Sequence, residues 1–454
     1  MTCLPAPRAR LASLLYASMA CLALGTPVPT GAVTQAFDPS RPWDRSALGA
    51  DALESTPAGK RSPAQRAAAE GFEQLLAGRF TEAEAAFGKA LAADAKYLPA
   101  LLGLADLRLR QRRPADAQAF IERARALDPA SPDVYTAFGR FQFGQGRYEE
   151  AKASYLKALQ LDPQAFLAHL DLADLYASAL RDPRAAEQEY RRALALRPGH
   201  TPARLGLALA LLSSGKPQAA LAELQAVAKA APNDPTAWHL IGRVHAGQGQ
   251  FAEAADALSE ALRVRPDFMP ALLDRADVYA EMGKDSAAAA DYERAIKLNP
   301  RDAVSRVKLG MIYQRTGATT RAEEAYRAAL RLDPRLAPAA NNLAMMALRA
   351  GGNLDEALEL ARKAVAAAPQ VPQFHDTLGR VLRARGTRAA AIAAFEKATT
   401  LPPPLADPWY QLGQLHDEAG NRAGAMAAYR KALELDPKAP EAAAARARLQ
   451  ALGR

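Results

Sequence analysis

Ten prolines, at residues 129, 163, 198, 232, 266, 300, 334, 369, 403 and 437, recur at intervals of 34 or 35 residues along this 454-residue chain. Proline lacks an amide proton and clashes with the preceding helical turn, so each one stops a helix at the same phase of the pattern. A stop at that period leaves room for two short helices and two turns, repeated many times. Ala95 stands one period before the first of these prolines. Eleven repeats follow, numbered one to eleven in chain order: 64–97, 98–131, 132–165, 166–200, 201–234, 235–268, 269–302, 303–336, 337–371, 372–405 and 406–439. The two longer repeats carry their extra residue in a mid-repeat turn, at ALRDPRAA and RAGGNLDEA. An insertion in a surface turn is well tolerated.

Other positions keep the same register. Position eight is glycine or alanine in every repeat, as at Gly139, Gly242, Gly310 and Gly413. Position twenty is always alanine, and position twenty-seven is alanine except at Val227. Position twenty-four is mostly large, with Phe87, Tyr155, Tyr190, Tyr292, Tyr326, Phe395 and Tyr429. Small residues at eight and twenty let two antiparallel helices approach closely, and the large residue fills the space between neighbouring pairs. Glycine and polar residues in GQGRYEEA, GQGQFAEA and GNRAGAMA mark the turn within a repeat.

Segments such as AWHLIGRVHAGQGQFAEAADALSEALRVRP and PWYQLGQLHDEAGNRAGAMAAYRKALELDP resemble the tetratricopeptide repeat. The resemblance implies an all-α fold, a right-handed α-solenoid of antiparallel helix pairs. PEAAAARARLQALGR, at 440–454, is expected as a capping helix with Leu449 and Leu452 facing the last repeat. Repeat one is the least regular, with Glu70 at a normally apolar position and Ala95 in place of proline.

Ahead of the repeats, Arg8 and Arg10 precede the apolar run LASLLYASMACLALG, too short for a bilayer-spanning helix. Residues 1–25 read as a signal peptide, with cleavage after Gly25. Lipidation at Cys21 or retention as an anchor are the alternatives, and they are the only expected membrane links. Residues 26–63 carry six prolines and no periodicity, as a flexible linker does. Both cysteines, Cys3 and Cys21, lie within the signal, so cleavage leaves a chain without thiols that suits an oxidising compartment. An exported, periplasmic or envelope-associated location is the expectation. The surplus of 58 basic over 49 acidic residues is spread along the chain without basic runs, which is not a nucleic-acid footprint.

The chain carries no nucleotide-binding glycine loop, H-E-x-x-H, G-x-S-x-G or C-x-x-C. Its six histidines fall at positions that do not converge. No enzyme activity, cofactor or metal is expected. Asp171 with Asp174, and Asp274 with Asp277, form two carboxylate pairs at helical spacing, 103 residues apart. Both occupy positions six and nine of equivalent helices. Three repeats of helices packed about 8–10 Å apart separate them by roughly 30 Å, too far for joint chemistry.

The resemblance further implies that the first helices line a concave groove, with positions two, five, six, nine, twelve and thirteen turned into it, and that ligands are segments of other proteins. On that basis the candidate partner contacts are Asp106, Arg140, Asp171, Asp174, Arg243, Asp274, Asp277, Lys308, Asn341, Asn342, Arg380 and Arg383. Asn341-Asn342 is the sharpest of these, because two asparagines within a helix sacrifice propensity. Met345 and Met346 read as gap-fillers. The expected function is a non-catalytic scaffold for an envelope assembly serving secretion, pilus formation or polysaccharide export. A polysaccharide-contacting role or a purely structural spacer are the alternatives. The first would call for exposed groove aromatics, of which Phe72, Phe143 and Tyr410 are the candidates. The pattern leaves the oligomeric state open.

Overall fold

The computed structural model describes residues 60–453. The expected signal peptide and nearly all of the expected linker lie outside the described residues. Among the described residues there are 23 α-helices and no strand. They form two compact units, one reaching to Gln250 and the other beginning at Phe251, with the short Arg263–Pro266 segment belonging to the first. Within each unit the helices pair antiparallel and stack as an α-solenoid, each second helix packing on its own first helix and on that of the next repeat.

The punctuation follows from backbone chemistry. Ser62 caps the first helix, Pro63–Leu76, through a reciprocal arrangement with Gln65, so Pro63 is the first helical residue rather than the end of a linker. Nine of the mid-repeat turns place a glycine at positive φ, from Gly78 at 73° to Gly420 at 72°. The following amide then reaches back to close a six-residue turn, as where Arg147 N donates to Gln142 O at 2.9 Å. Arg112 and Arg181 hold the same backbone conformation, at φ 58° and 53°, without glycine's freedom. Between repeats, the aspartate of the LDP tripeptides accepts the amide two residues on, at 2.8 Å for Asp162 and 3.0 Å for Asp128 and Asp436. Asp94 does the same at 3.0 Å, which supplies repeat one with its turn although Ala95 replaces the proline.

Packing is tightest along the small-residue positions. All eleven alanines at position twenty are fully buried, from Ala83 to Ala425. Against them lies position twenty-four, whose rings press into glycine notches. A Cβ built on Gly139 would stand 2.3 Å from Tyr155, and one on Gly310 2.7 Å from Tyr326. Phe87 is held on two sides, with Gly71 of its own repeat and Gly103 of the next both within 2.6 Å of its ring atoms by the same measure. Tyr190 meets Gly206 of the next repeat in this way. In the first unit the first helices of successive repeats approach one another, as do those of repeats nine and ten in the second. The second helices do not come together to that degree, which places the first helices on the inner side of each stack.

At the end of the chain a helix over Ala442–Leu452 buries Ala445 against Ala425 and Tyr429, with Leu449 and Leu452 packed alongside. Among the described residues no helix is long and apolar enough to cross a membrane.

Two stability outcomes follow. Gly139→Ala should destabilise the chain by about 1–3 kcal/mol through overpacking against Tyr155. Adding Tyr155→Ile should recover part of that loss in thermal unfolding, since repeat two already combines Ala105 with Ile121. For the turns, Gly317→Ala should cost roughly 1–2 kcal/mol and Arg112→Gly should stabilise by something under that, read as opposite shifts in thermal midpoint.

Candidate partner-binding face

Each first helix offers positions five, six, nine and twelve to the inner side of the stack, where neighbouring first helices come close enough for side chains to meet. The structure turns most of the polar residues on this face toward each other. Arg140, at position nine of repeat three, is almost fully buried and forks onto Asp171, at position six of repeat four. Its Nε donates to Asp171 Oδ2 at 2.6 Å and Nη2 to Oδ1 at 3.1 Å. Burial works against the guanidinium charge, but the carboxylates of Asp171 and Asp106 keep Arg140 protonated above its ordinary range. Burial likewise raises Asp171, with Arg140 opposing. Asp106 is fully buried and accepts from Arg110 one turn on, at 3.3 and 3.4 Å.

The same step recurs with reversed sign in the second unit. Asp277, at position nine of repeat seven, accepts Lys308 Nζ, at position six of repeat eight, with 2.6 and 2.8 Å to its two oxygens. Asp277 also accepts the hydroxyl of Tyr292, and Asp174 that of Tyr190 at 2.5 Å. The two aspartates share a repeat position and a tyrosine donor, but only Asp277 has the lysine. Burial pushes Asp174 up to about 8, with the nearby Asp171 charge adding and the Tyr190 hydrogen bond and Arg140 opposing. Arg243 and Asp274 occupy positions nine and six of repeats six and seven, and both are half-buried.

Repeats eight to eleven carry the remaining candidates. Asn342 donates to the Tyr326 hydroxyl at 3.1 Å, and that hydroxyl donates to Gln314 at 3.0 Å. Asn341 donates to Asn342 Oδ1 at 3.4 Å, while its own Oδ1 is buried without a donor. Arg380 Nε donates to Asp376 Oδ2 at 2.8 Å, and Nη2 pairs with Asp407 at position two of the next repeat. Arg383 reaches Gln411 and Gln414 of repeat eleven at 2.8 and 2.6 Å, and pairs with Glu418.

Five of the twelve residues expected to point into an open groove are therefore buried: Asp106, Arg140, Asp171, Asn341 and Asn342. The correction has a simple cause. Arg140 forks onto Asp171 of the next repeat, Asn342 reaches Tyr326 of the one before, and Asp106 and Asn341 meet partners on their own helices. Sequence reasoning missed Tyr190 and Tyr292 as donors, and Asp376 and Asp407 as arginine partners. The signals were present in part. Tyrosine at twenty-four accompanies aspartate at nine in repeats four and seven, and Asp376 precedes Arg380 by four residues.

The aromatic candidates are engaged as well. Phe72 is buried edge-on against Phe87 with centroids 4.9 Å apart, Phe143 tilts on Tyr148 at 5.6 Å and Tyr410 on Tyr429 at 5.7 Å. At position four of repeats four and ten, His169 and His375 contact the carbonyl oxygen of the preceding repeat's proline, at 3.0 and 2.9 Å. Among the described residues no three histidine, cysteine or acidic side chains group as a metal site would require.

Helix-turn-helix repeats of this length, with small residues at eight and twenty and an inner face of first helices, define a tetratricopeptide solenoid. Residues 83–346, more than half of the chain, match the family model described as the cilia and flagella-associated protein 70 C-terminal domain, and residues 406–439 match the tetratricopeptide repeat model. The chain belongs to that family of tetratricopeptide repeat proteins. A cellulose synthase operon protein C of Xanthomonas axonopodis pv. citri is 33% identical over 228 residues, 47% of this chain and 15% of that protein. The human protein O-mannosyl-transferase TMTC3 is 25% identical over 190 residues, 41% of this chain and 21% of that protein. The chain thus matches only a small part of either relative's length. A solved structure, the APC/C hetero-tetramer Cut9–Hcn1, aligns over 89% of this chain and 98% of its own at 14% identity and a TM-score of 0.44.

The inner face should be sensitive to pH through Asp174. Its folded value lies above the ordinary aspartate range, so its stabilising contribution is complete below about pH 4 and is lost as pH rises through 8. Asp174→Asn keeps an acceptor for Tyr190 but cannot ionise. Wild type should lose stability relative to this variant between pH 5 and 9, by up to about 4 kcal/mol, in parallel thermal melts.

Proposed function

We propose that this chain is a non-catalytic scaffold that docks segments of partner proteins along the inner face of its first helices, as an exported adaptor in the assembly of a polysaccharide-producing or polysaccharide-exporting envelope complex. The observation that carries the docking role is the polar strip itself. Side chains at positions six, nine and twelve are fixed across repeat boundaries, as in Asp277–Lys308 and Arg383–Gln414. A strip held in this way presents acceptors and donors without a large ordering cost on binding. Extended or helical segments of partner proteins are the ligands that suit such a face of side-by-side helices.

The envelope assignment is supported by two independent facts. The chain opens with Arg8 and Arg10 ahead of a short apolar run, and a relative carries the name cellulose synthase operon protein C. A protein ligand is preferred to a polymer because Phe72, Phe143 and Tyr410 pack on neighbouring rings instead of forming an open platform.

Charge reversal separates the inner face from the outer one. Lys308 and Arg383 are each under a third exposed on the inner side, whereas Arg362 and Lys363 are exposed on a second helix. In co-purification from envelope extract of the source cells, Lys308→Glu with Arg383→Glu should reduce partner recovery at least tenfold, while Arg362→Glu with Lys363→Glu leaves it unchanged. Equal recovery with both variants, each folded by circular dichroism, would remove the inner-face assignment.

A further inference from the structure

We infer that, within the docking face proposed above, the first helices of repeats nine to eleven seat an arginine side chain carried on an extended partner segment. The inference rests on that docking reading and specifies the chemistry of its ligand. Its basis is a run of acceptors with nothing to accept. Asp376 is 5% exposed, and while its Oδ2 takes Arg380 Nε at 2.8 Å, its Oδ1 has no donor. Asp407 gives one oxygen to Arg380, and its Oδ1 is likewise buried without a donor. Asn341, 6% exposed and at the same repeat position as Asp376 one repeat earlier, adds a third orphaned oxygen, this one on a neutral amide.

The three residues are thus short of donors only. Two carboxylates share one guanidinium, which leaves the cluster one positive charge short of balance. A ligand that fills it must bring N–H groups and positive charge together, and a guanidinium supplies both in a planar fork. An acidic ligand would meet oxygens facing oxygens. The other nearby cations do not fill the role. Arg383 is turned to Gln411, Gln414 and Glu418. Arg349 stands eight residues beyond Asn341 on the same helix, about 12 Å further along. Burial pushes Asp376 up to about 6, with Asp407 adding and Arg380 opposing, so a seated cation would draw its proton off.

The test uses the full chain and short blocked glycine–serine peptides that carry arginines, glutamates or alanines at the same places. In isothermal titration the arginine peptide should bind at least tenfold more tightly than the other two. Asp376→Asn with Asp407→Asn should weaken it tenfold or more, and Asn341→Ala several-fold. Wild type titrated at pH 6 in two buffers of different ionisation enthalpy should release protons on binding. That measurement needs no variant and decides the matter if the double substitution fails to fold. Equal binding of the alanine or glutamate peptide, undiminished binding by a folded double variant, or no proton release would each overturn the arginine seat. Equal binding of all three peptides would do so while leaving protein docking intact. No binding by any peptide, joined with unchanged partner recovery after inner-face charge reversal, would remove both.

Discussion

The structure depends on one contact made again and again, an aromatic ring lowered into the notch left by a missing side chain. Tyr155 over Gly139, Tyr326 over Gly310, Phe395 over Gly379 and Tyr429 over Gly413 each fix the distance between the two helices of a repeat. Phe87 and Tyr190 extend the contact to Gly103 and Gly206 of the following repeat. At Phe87, with Gly71 on the other side, the ring sets two separations at once, within a pair and between pairs. At other junctions position six carries a polar side chain instead, and there it comes within hydrogen-bonding reach of position nine of the preceding repeat, as Asp171 does of Arg140 and Lys308 of Asp277.

Nearly identical repeats raise a problem that packing alone does not solve. Any second helix, with alanine at twenty and twenty-seven, could dock on any first helix. The charged pairs differ from one junction to the next, arginine to aspartate between repeats three and four and aspartate to lysine between seven and eight. A buried ion pair adds little net stability, since desolvation offsets the attraction. A mismatched junction, however, would strand a buried charge, which is expensive. At Arg140 and Asp171, both nearly inaccessible, that discrimination is strongest. The Arg140–Asp171 pair thus disfavours a mismatched neighbour at its junction, which a uniform apolar interface of alanines would not.

The periodic prolines, the invariant alanine at position twenty and the glycine or alanine at position eight made the helix pairs and their contacts readable before any coordinates. These positions are constrained by backbone geometry and volume, which residue identity states directly. The inner face was readable only as a face. Asp174 and Asp277 have the same repeat position, yet one meets a tyrosine alone and the other a tyrosine and a lysine. The difference lies in what the next repeat holds at position six, Gly206 after Asp174 and Lys308 after Asp277. Asp376 was missed because a carboxylate four residues before an arginine looks like an ordinary solvated pair. Its burial comes from the close approach of the neighbouring first helices.

The polar contacts of the inner face differ in how completely they close. Asp171 spends both oxygens on one buried guanidinium, which leaves that pair little to offer a ligand, whereas Asp277 and Lys308 keep part of their side chains exposed. Asp376 and Asp407 divide a single arginine, and Asn341 engages only its amide nitrogen. Recognition needs groups that are held in place and still hold unused bonding capacity. The closed pairs meet the first condition and the exposed surface charges meet the second. Repeats nine to eleven meet both, because there the stack buries acceptors without supplying every donor.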